Sequence, residues 1–136
     1  MDEYGILLRF VDRIHKLGGK ISIDDFGSGY SNLLHVASIP ANFLKIDGSI
    51  VKECWKNKAS EGLVQLISAW NRISGRNTRI VAEYVENEVI QDKLLQYRID
   101  YSQGFLFSKP VPKLPDPEAE QAQNTKTEKK ADKGER

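Results

Sequence analysis

The sequence has one cysteine, Cys54, one methionine, two histidines and almost no imbalance of charge, with 20 basic against 19 acidic side chains. A lone thiol forms no intrachain disulfide and no cysteine-rich zinc site, which fits a reducing compartment. Only Lys52 and Lys56 nearby would favour the thiolate, so no reactive role is expected for it. A net charge of +1 leaves no electrostatic footprint for nucleic acid or an anionic membrane surface. Any anionic ligand must therefore be held by local groups. Long apolar runs are also missing. None approaches the roughly 20 residues of a membrane span, and the N-terminal Met1-Asp2-Glu3-Tyr4-Gly5 lacks the basic-then-apolar order of a signal peptide. The expectation is a soluble, cytoplasmic chain with no membrane span and no nucleic-acid partner.

What is present is enough apolar residue, 40% of 136 positions, for one folded core. Leu7, Phe10, Val11, Ile14 and Leu17 follow the spacing of an amphipathic helix over 6–17, ended by Gly18-Gly19. A strand follows over 20–25, then a helical turn over 33–38 that Pro40 stops, and a second strand over 43–46. Leu63, Val64, Leu66, Ile67, Trp70 and Ile73 form a second helical stripe, and a β-branched strand is predicted over 79–85. Asn87 and Glu88 start a helix through Val89, Ile90, Leu94 and Leu95, and a last strand runs over 101–107. The Trp and Phe residues at helical spacing read as core. This alternation predicts an α/β fold, a partial (β/α) TIM-like barrel of about four βα units spanning residues 1–112. Residues 113–136 read as a disordered charged tail, six basic and six acidic side chains with almost nothing apolar to bury.

In a parallel barrel the carboxyl ends of consecutive strands converge on one rim, so Asp24, Asp25, Lys45, Glu83 and Gln103 are expected to share a pocket. Adjacent carboxylates suit divalent cations, because one can bridge two ions while its neighbour ligates the second. Taken alone, the Asp24-Asp25 pair reads more readily as the opening of a turn built by Gly27 and Gly29, and it is the other strand ends that favour a site. Lys45 stands in an apolar strand, where an unpaired ammonium is costly, and must meet a carboxylate or a phosphate. Asp47 either caps the next helix or orients Lys45. Glu83 over the rim can ligate a metal or take a proton, whereas Glu86 lies nearer the loop. Gln103 before Gly104 can hydrogen-bond a base or a phosphate. His15 and His35 lack partners at metal-ligand spacing and read as surface or core filler.

Asp24-Asp25-Phe26-Gly27-Ser28-Gly29-Tyr30-Ser31, Leu44-Lys45-Ile46-Asp47, Ala82-Glu83-Tyr84-Val85-Glu86 and Gln103-Gly104-Phe105-Leu106-Phe107-Ser108-Lys109-Pro110 occur in this order. Together they resemble the EAL domain family of cyclic di-GMP phosphodiesterases, over its C-terminal half. The resemblance implies a barrel that binds Mg2+ or Mn2+ and hydrolyses cyclic di-GMP to linear pGpG through a metal-activated water. It implies that Asp24 bridges or ligates the ions, Asp25 ligates the second, and Glu83 completes the metal shell. Lys45 would hold the water or phosphate, and Gln103 would support the site or ligand. The loop from Gly27 to Ser31 would link the site to a homodimer interface.

The Glu-Ala-Leu strand that names the family is absent, as are an Asn and a further Glu of its N-terminal half. Tyr84 stands where that family usually has a small residue, and Arg98 where it commonly has glycine. The expectation is no hydrolysis by this chain without the missing N-terminal half of the barrel. The alternative is a non-catalytic half-barrel acting as a dimerisation or partner-binding module. A phosphate-binding half-barrel of an unrelated enzyme requires all four motifs to coincide.

Overall fold

In the computed structural model, residues 2–28, 33–113 and 117–118 are described. Helix α1 (Glu3–Lys16) starts about a turn before its apolar stripe, because the Asp2 carboxylate accepts a hydrogen bond from the Gly5 amide at 2.9 Å. Strand β1 (Ser22–Phe26), helix α2 (Leu33–Ser38) and strand β2 (Phe43–Ile46) follow. Helix α3 (Gly48–Glu53) and helix α4 (Lys58–Ile73) replace the single helix that the apolar stripe suggested. Asp47 and Asn57 each cap a start there, accepting from the Ser49 and Ala59 amides at 2.9 and 2.8 Å. Strand β3 (Arg79–Ala82), helix α5 (Glu88–Gln96) and strand β4 (Tyr101–Ser102) complete the order.

All neighbouring strands pair parallel in the order β1-β2-β3-β4, with Ile23 opposite Leu44, Lys45 opposite Val81 and Val81 opposite Tyr101. Period-two alternation divides the sheet. Leu44, Ile46, Ile80 and Ala82 are buried with Val51, Val64, Ile90 and Leu94 from α3, α4 and α5. Phe43, Lys45 and Val81 alternate with them and remain only half-buried. Among the described residues the core cluster therefore lies on the helix side of the sheet.

Several expectations change. β3 ends at Ala82 rather than reaching residue 85. β4 is short rather than reaching Phe107: the chain turns, with the Leu106 amide donating to the Val85 carbonyl and the Phe107 amide to the Gly104 carbonyl, each at 3.1 Å. Phe10 is not core. It is 57% exposed, as Ile6 and Leu7 on the same helix are also exposed, because of α1 only Val11 is buried. In α4 the stripe is likewise split, with Val64 and Ile67 buried and Leu63, Leu66 and Ile73 exposed. Trp70 stacks on Phe26 at 6.0 Å between ring centroids. Cys54 is fully buried and burial pushes its thiol up, in keeping with an inert role. His15 Nε2 lies 3.0 Å from Asn42 Oδ1, and His35 stacks on Tyr4. No helix among the described residues is long and apolar enough to cross a membrane. The expected tail over 113–136, apart from Lys113 and residues 117–118, lies outside the described residues.

Away from the rim, Glu61 of α4 joins α5. It accepts from the Tyr97 hydroxyl, from Lys93 Nζ at 3.0 Å and from Lys58 Nζ at 3.1 Å. These bonds, the Tyr97 one first, hold its carboxyl down at about 2, against an ordinary value of 4.5. Its folded value is depressed, so its stabilisation is complete above 4.5 and is lost as pH falls towards 2. Denaturant titrations across that interval should show stability falling in the wild type and a flatter profile in Glu61→Gln; identical slopes would contradict the linkage.

The end of α5 carries a second consequence. The Arg98 amide donates to the Leu95 carbonyl and the Ile99 amide to the Leu94 carbonyl, the paired bonds of a Schellman turn. Arg98 occupies its left-handed position at φ 59°, where a Cβ is unfavourable. Arg98→Gly is expected to raise stability by about 0.5–1 kcal/mol in chemical denaturation. A loss would mean that the arginine side chain makes a compensating contact.

Candidate active site

The rim is built by strand direction and by one irregularity. Ile23 and Phe26 both pack on the helix-side core, so two residues stand between them where strict alternation allows one. A register shift in β1 absorbs the extra residue, and Asp25 takes φ 53° to do so. Asp24 and Asp25 are thereby both exposed at the strand end. The Asp25 carbonyl is held by the Ser28 amide at 3.2 Å and the Ser28 hydroxyl at 2.8 Å. Gly29, Tyr30 and Ser31 of the loop lie outside the described residues.

Lys45 is the centre of this rim. Its Nζ lies 2.7 Å from Glu83 Oε1 and 3.7 Å from Asp24 Oδ1, joining the ends of β1, β2 and β3. Lys45 and Glu83 are about one-fifth exposed, whereas Asp24 is mostly in solvent and also accepts from the Ser22 hydroxyl at 3.1 Å. The hydrogen bond to Glu83, against an opposing effect of burial, holds the Lys45 ammonium above its ordinary range. Lys45 is thus a fixed cation at neutral pH. Asp47 does not reach it in this arrangement; its carboxylate accepts from the Ser49 amide and hydroxyl, the helix-capping role.

Glu83 also belongs to two clefts. One, of about 330 Å³, is lined by Glu83, Tyr84, Glu86, Gln103, Gly104 and Phe105. The other, of about 360 Å³, includes Asp25, Asp47, Gly48, Lys52, Glu83 and Tyr84. The structure therefore brings Asp24, Lys45 and Glu83 into contact, sets Asp25 beside Glu83 across one cleft, and sets Gln103 beside it across the other. Gln103 is positioned by its backbone, its amide donating to the Ala82 carbonyl at 2.9 Å and its carbonyl accepting from Val85 at 3.0 Å. Tyr84 and Phe105, walls of these clefts, were not singled out as site residues by their sequence pattern. The one available signal was an aromatic residue between Glu83 and Val85.

Asp24, Asp25 and Glu83 offer only hard oxygen donors, the kind that suits Mg2+ or Mn2+. They fit in kind and fall short in number. Among the described residues no three His, Cys, Asp or Glu side chains converge as a metal site.

A family model described as EAL domain matches residues 2–110. The cyclic di-GMP phosphodiesterase PdeA of Borreliella burgdorferi is 36% identical over 112 residues, 82% of this chain and 16% of that protein. The solved PaMucR phosphodiesterase, in complex with c-di-GMP, is 38% identical with a TM-score of 0.72, matching 82% of this chain and 44% of the other. The EAL domain of Mycobacterium smegmatis DcpA is 34% identical with a TM-score of 0.74, over 82% of this chain and 49% of its own. The chain thus spans less than half the length of each of these relatives.

Proposed function

Because this chain belongs to the EAL domain family, we propose that it provides the C-terminal half of a metal-dependent site that hydrolyses cyclic di-GMP to pGpG. The observation that carries this reading is the contact of Lys45 with both Asp24 and Glu83, three strand ends that the sequence keeps far apart. The cyclic di-GMP phosphodiesterase relatives support it. Residues 1–112 are the barrel portion and 113–136 a tail, and the protein acts in the cytoplasm.

In this reading Asp24, Asp25 and Glu83, which do not converge as a metal site by themselves, would hold Mg2+ or Mn2+ together with ligands from the N-terminal half of the barrel, and the ion would supply Lewis-acid stabilisation of phosphoryl charge. Lys45 neutralises a phosphate oxygen and fixes its position. Its bond to Glu83 orients the ammonium before ligand arrives, so little is lost in ordering it. The Gln103 amide holds the ligand in the neighbouring cleft. Three carboxylates alone do not close a cation's shell of about six oxygens, so the chain by itself is inactive and needs the N-terminal half of the barrel.

Equilibrium dialysis of radiolabelled cyclic di-GMP against the folded chain tests the binding part. Retention is expected with Mn2+ and is lost on chelation. Retention that ignores chelation would remove the metal from the reading, and no retention would remove the ligand.

A second reading rests on the exposed apolar side chains Ile6, Leu7 and Phe10 of α1 and Tyr101, Phe105 and Phe107 at the β4 end. They suit a non-catalytic half-barrel that buries its open edges in a partner or a second copy, including a homodimer through the loop at Gly27–Ser31. Sedimentation at rising concentration distinguishes a self-associating module from a monomer.

A further inference from the structure

Tyr84 is placed in a way the fold does not need. The residue is 57% exposed, so it recovers little burial free energy, yet its backbone sits at φ 61°, a conformation that strains a residue with a Cβ. The ring forms a wall of both clefts that meet at Glu83. It is also fitted to its neighbour. A Cβ on Gly48 would stand 2.2 Å from Tyr84 Cδ2 and 2.8 Å from Cγ, so the ring occupies space left by the missing side chain at the start of α3. Gly48 is buried there. Across the 330 Å³ cleft stand the half-exposed ring of Phe105 and the Gln103 amide, and Lys45 lies behind Glu83.

We propose that Tyr84, seated on Gly48, is the stacking surface for a purine base of the ligand, and so a ligand-binding residue of this site. The inference deepens the cyclic di-GMP reading and rests on it. An aromatic wall beside a side-chain amide suits a planar heterocycle with polar edges, and the nearby ammonium suits the phosphate attached to it. Gly48 is the positioning residue, because any side chain there moves the ring.

The test is cyclic di-GMP binding in Mn2+ by the full chain and four variants, with circular dichroism to confirm folding. Tyr84→Phe keeps the ring and should bind within about twofold of wild type, whereas Tyr84→Gly should bind about tenfold more weakly. Gly48→Ala should weaken binding by a similar factor, yet have no further effect in the Tyr84→Gly background, since both changes remove one surface. Equal binding by Tyr84→Gly, or additive losses in the double variant, would overturn the stacking role while leaving the cyclic di-GMP reading intact. The reverse failure is also visible with selectively labelled tyrosine rings. A Tyr84 ring shift with GMP, in a chain that retains no cyclic di-GMP, would uphold stacking and reject the dinucleotide. No Tyr84 response to either nucleotide would overturn the inference.

Discussion

Lys45→Met is expected to weaken cyclic di-GMP binding by more than about tenfold and to cost about 1–3 kcal/mol of stability. The two effects have different origins. Methionine keeps most of the apolar stem, so packing on the open sheet face changes little. What disappears is the cation that contacts both Asp24 and Glu83. Glu83 is about one-fifth exposed and loses its partner at 2.7 Å, which leaves a poorly solvated carboxylate. Asp24 is mostly in solvent and its 3.7 Å contact contributes little. Pairing Lys45→Met with Glu83→Gln removes the stranded charge as well, so the double variant should regain part of the stability and none of the binding. Binding that survives Lys45→Met would remove the lysine from ligand recognition. The charge itself is robust to pH. With its folded value raised above 10.5, the stabilisation is complete below 10.5 and lost only as pH rises through the higher folded value. Calorimetric titrations should show a Lys45 contribution that stays constant across the neutral range.

The second large effect belongs to Gly104→Ala, expected to destabilise the fold by about 2–3 kcal/mol, measured by chemical denaturation. A Cβ there would stand 2.3 Å from the Val85 carbonyl oxygen and 2.4 Å from the Val85 nitrogen. Both are main-chain atoms tied into hydrogen bonds, Val85 nitrogen to the Gln103 carbonyl and Val85 oxygen to the Leu106 amide, so neither can swing aside as a side chain would. Relief requires the β3 and β4 ends to part, which also moves Gln103 away from Glu83. Loss of stability should therefore come with loss of ligand binding under conditions where the variant is still folded. A variant of wild-type stability would show that the close approach of Gly104 to Val85 is relaxed in solution.

How far the sequence alone reached depends on the kind of signal. Strand β2 was legible because Phe43, Leu44 and Ile46 bracket a lone lysine, and the cap at Asn87 was legible because its side chain does accept from the Ile90 amide, at 2.9 Å. Parallel pairing followed from alternation of strands with helices long enough to cross over. The break between α3 and α4 was hidden, since Asn57 as a second cap interrupts no apolar pattern that predicts it. The end of β4 was hidden because Tyr101 to Phe107 keeps an aromatic alternation after Gly104 has turned the chain, a contact decided by Val85 in the segment that follows β3. In the site, the convergence of Asp24, Lys45 and Glu83 was inferable from parallel strand ends. The extra residue in β1 that exposes both Asp24 and Asp25 was not, because only the packing of Ile23 and Phe26 on one core reveals it. Tyr84 was visible as an odd residue in a recognisable segment, and only its seat on Gly48 shows what it does to the cleft.

The most direct measurement is cyclic di-GMP turnover with Mn2+, followed by chromatography of pGpG, for the purified chain alone, for the chain mixed with an EAL N-terminal half-barrel, and for the same mixture carrying Lys45→Met. The expected result is pGpG from the wild-type mixture only. Absence of pGpG from a soluble, folded, associated mixture would contradict a catalytic half-site and leave the interaction module as the function of this chain.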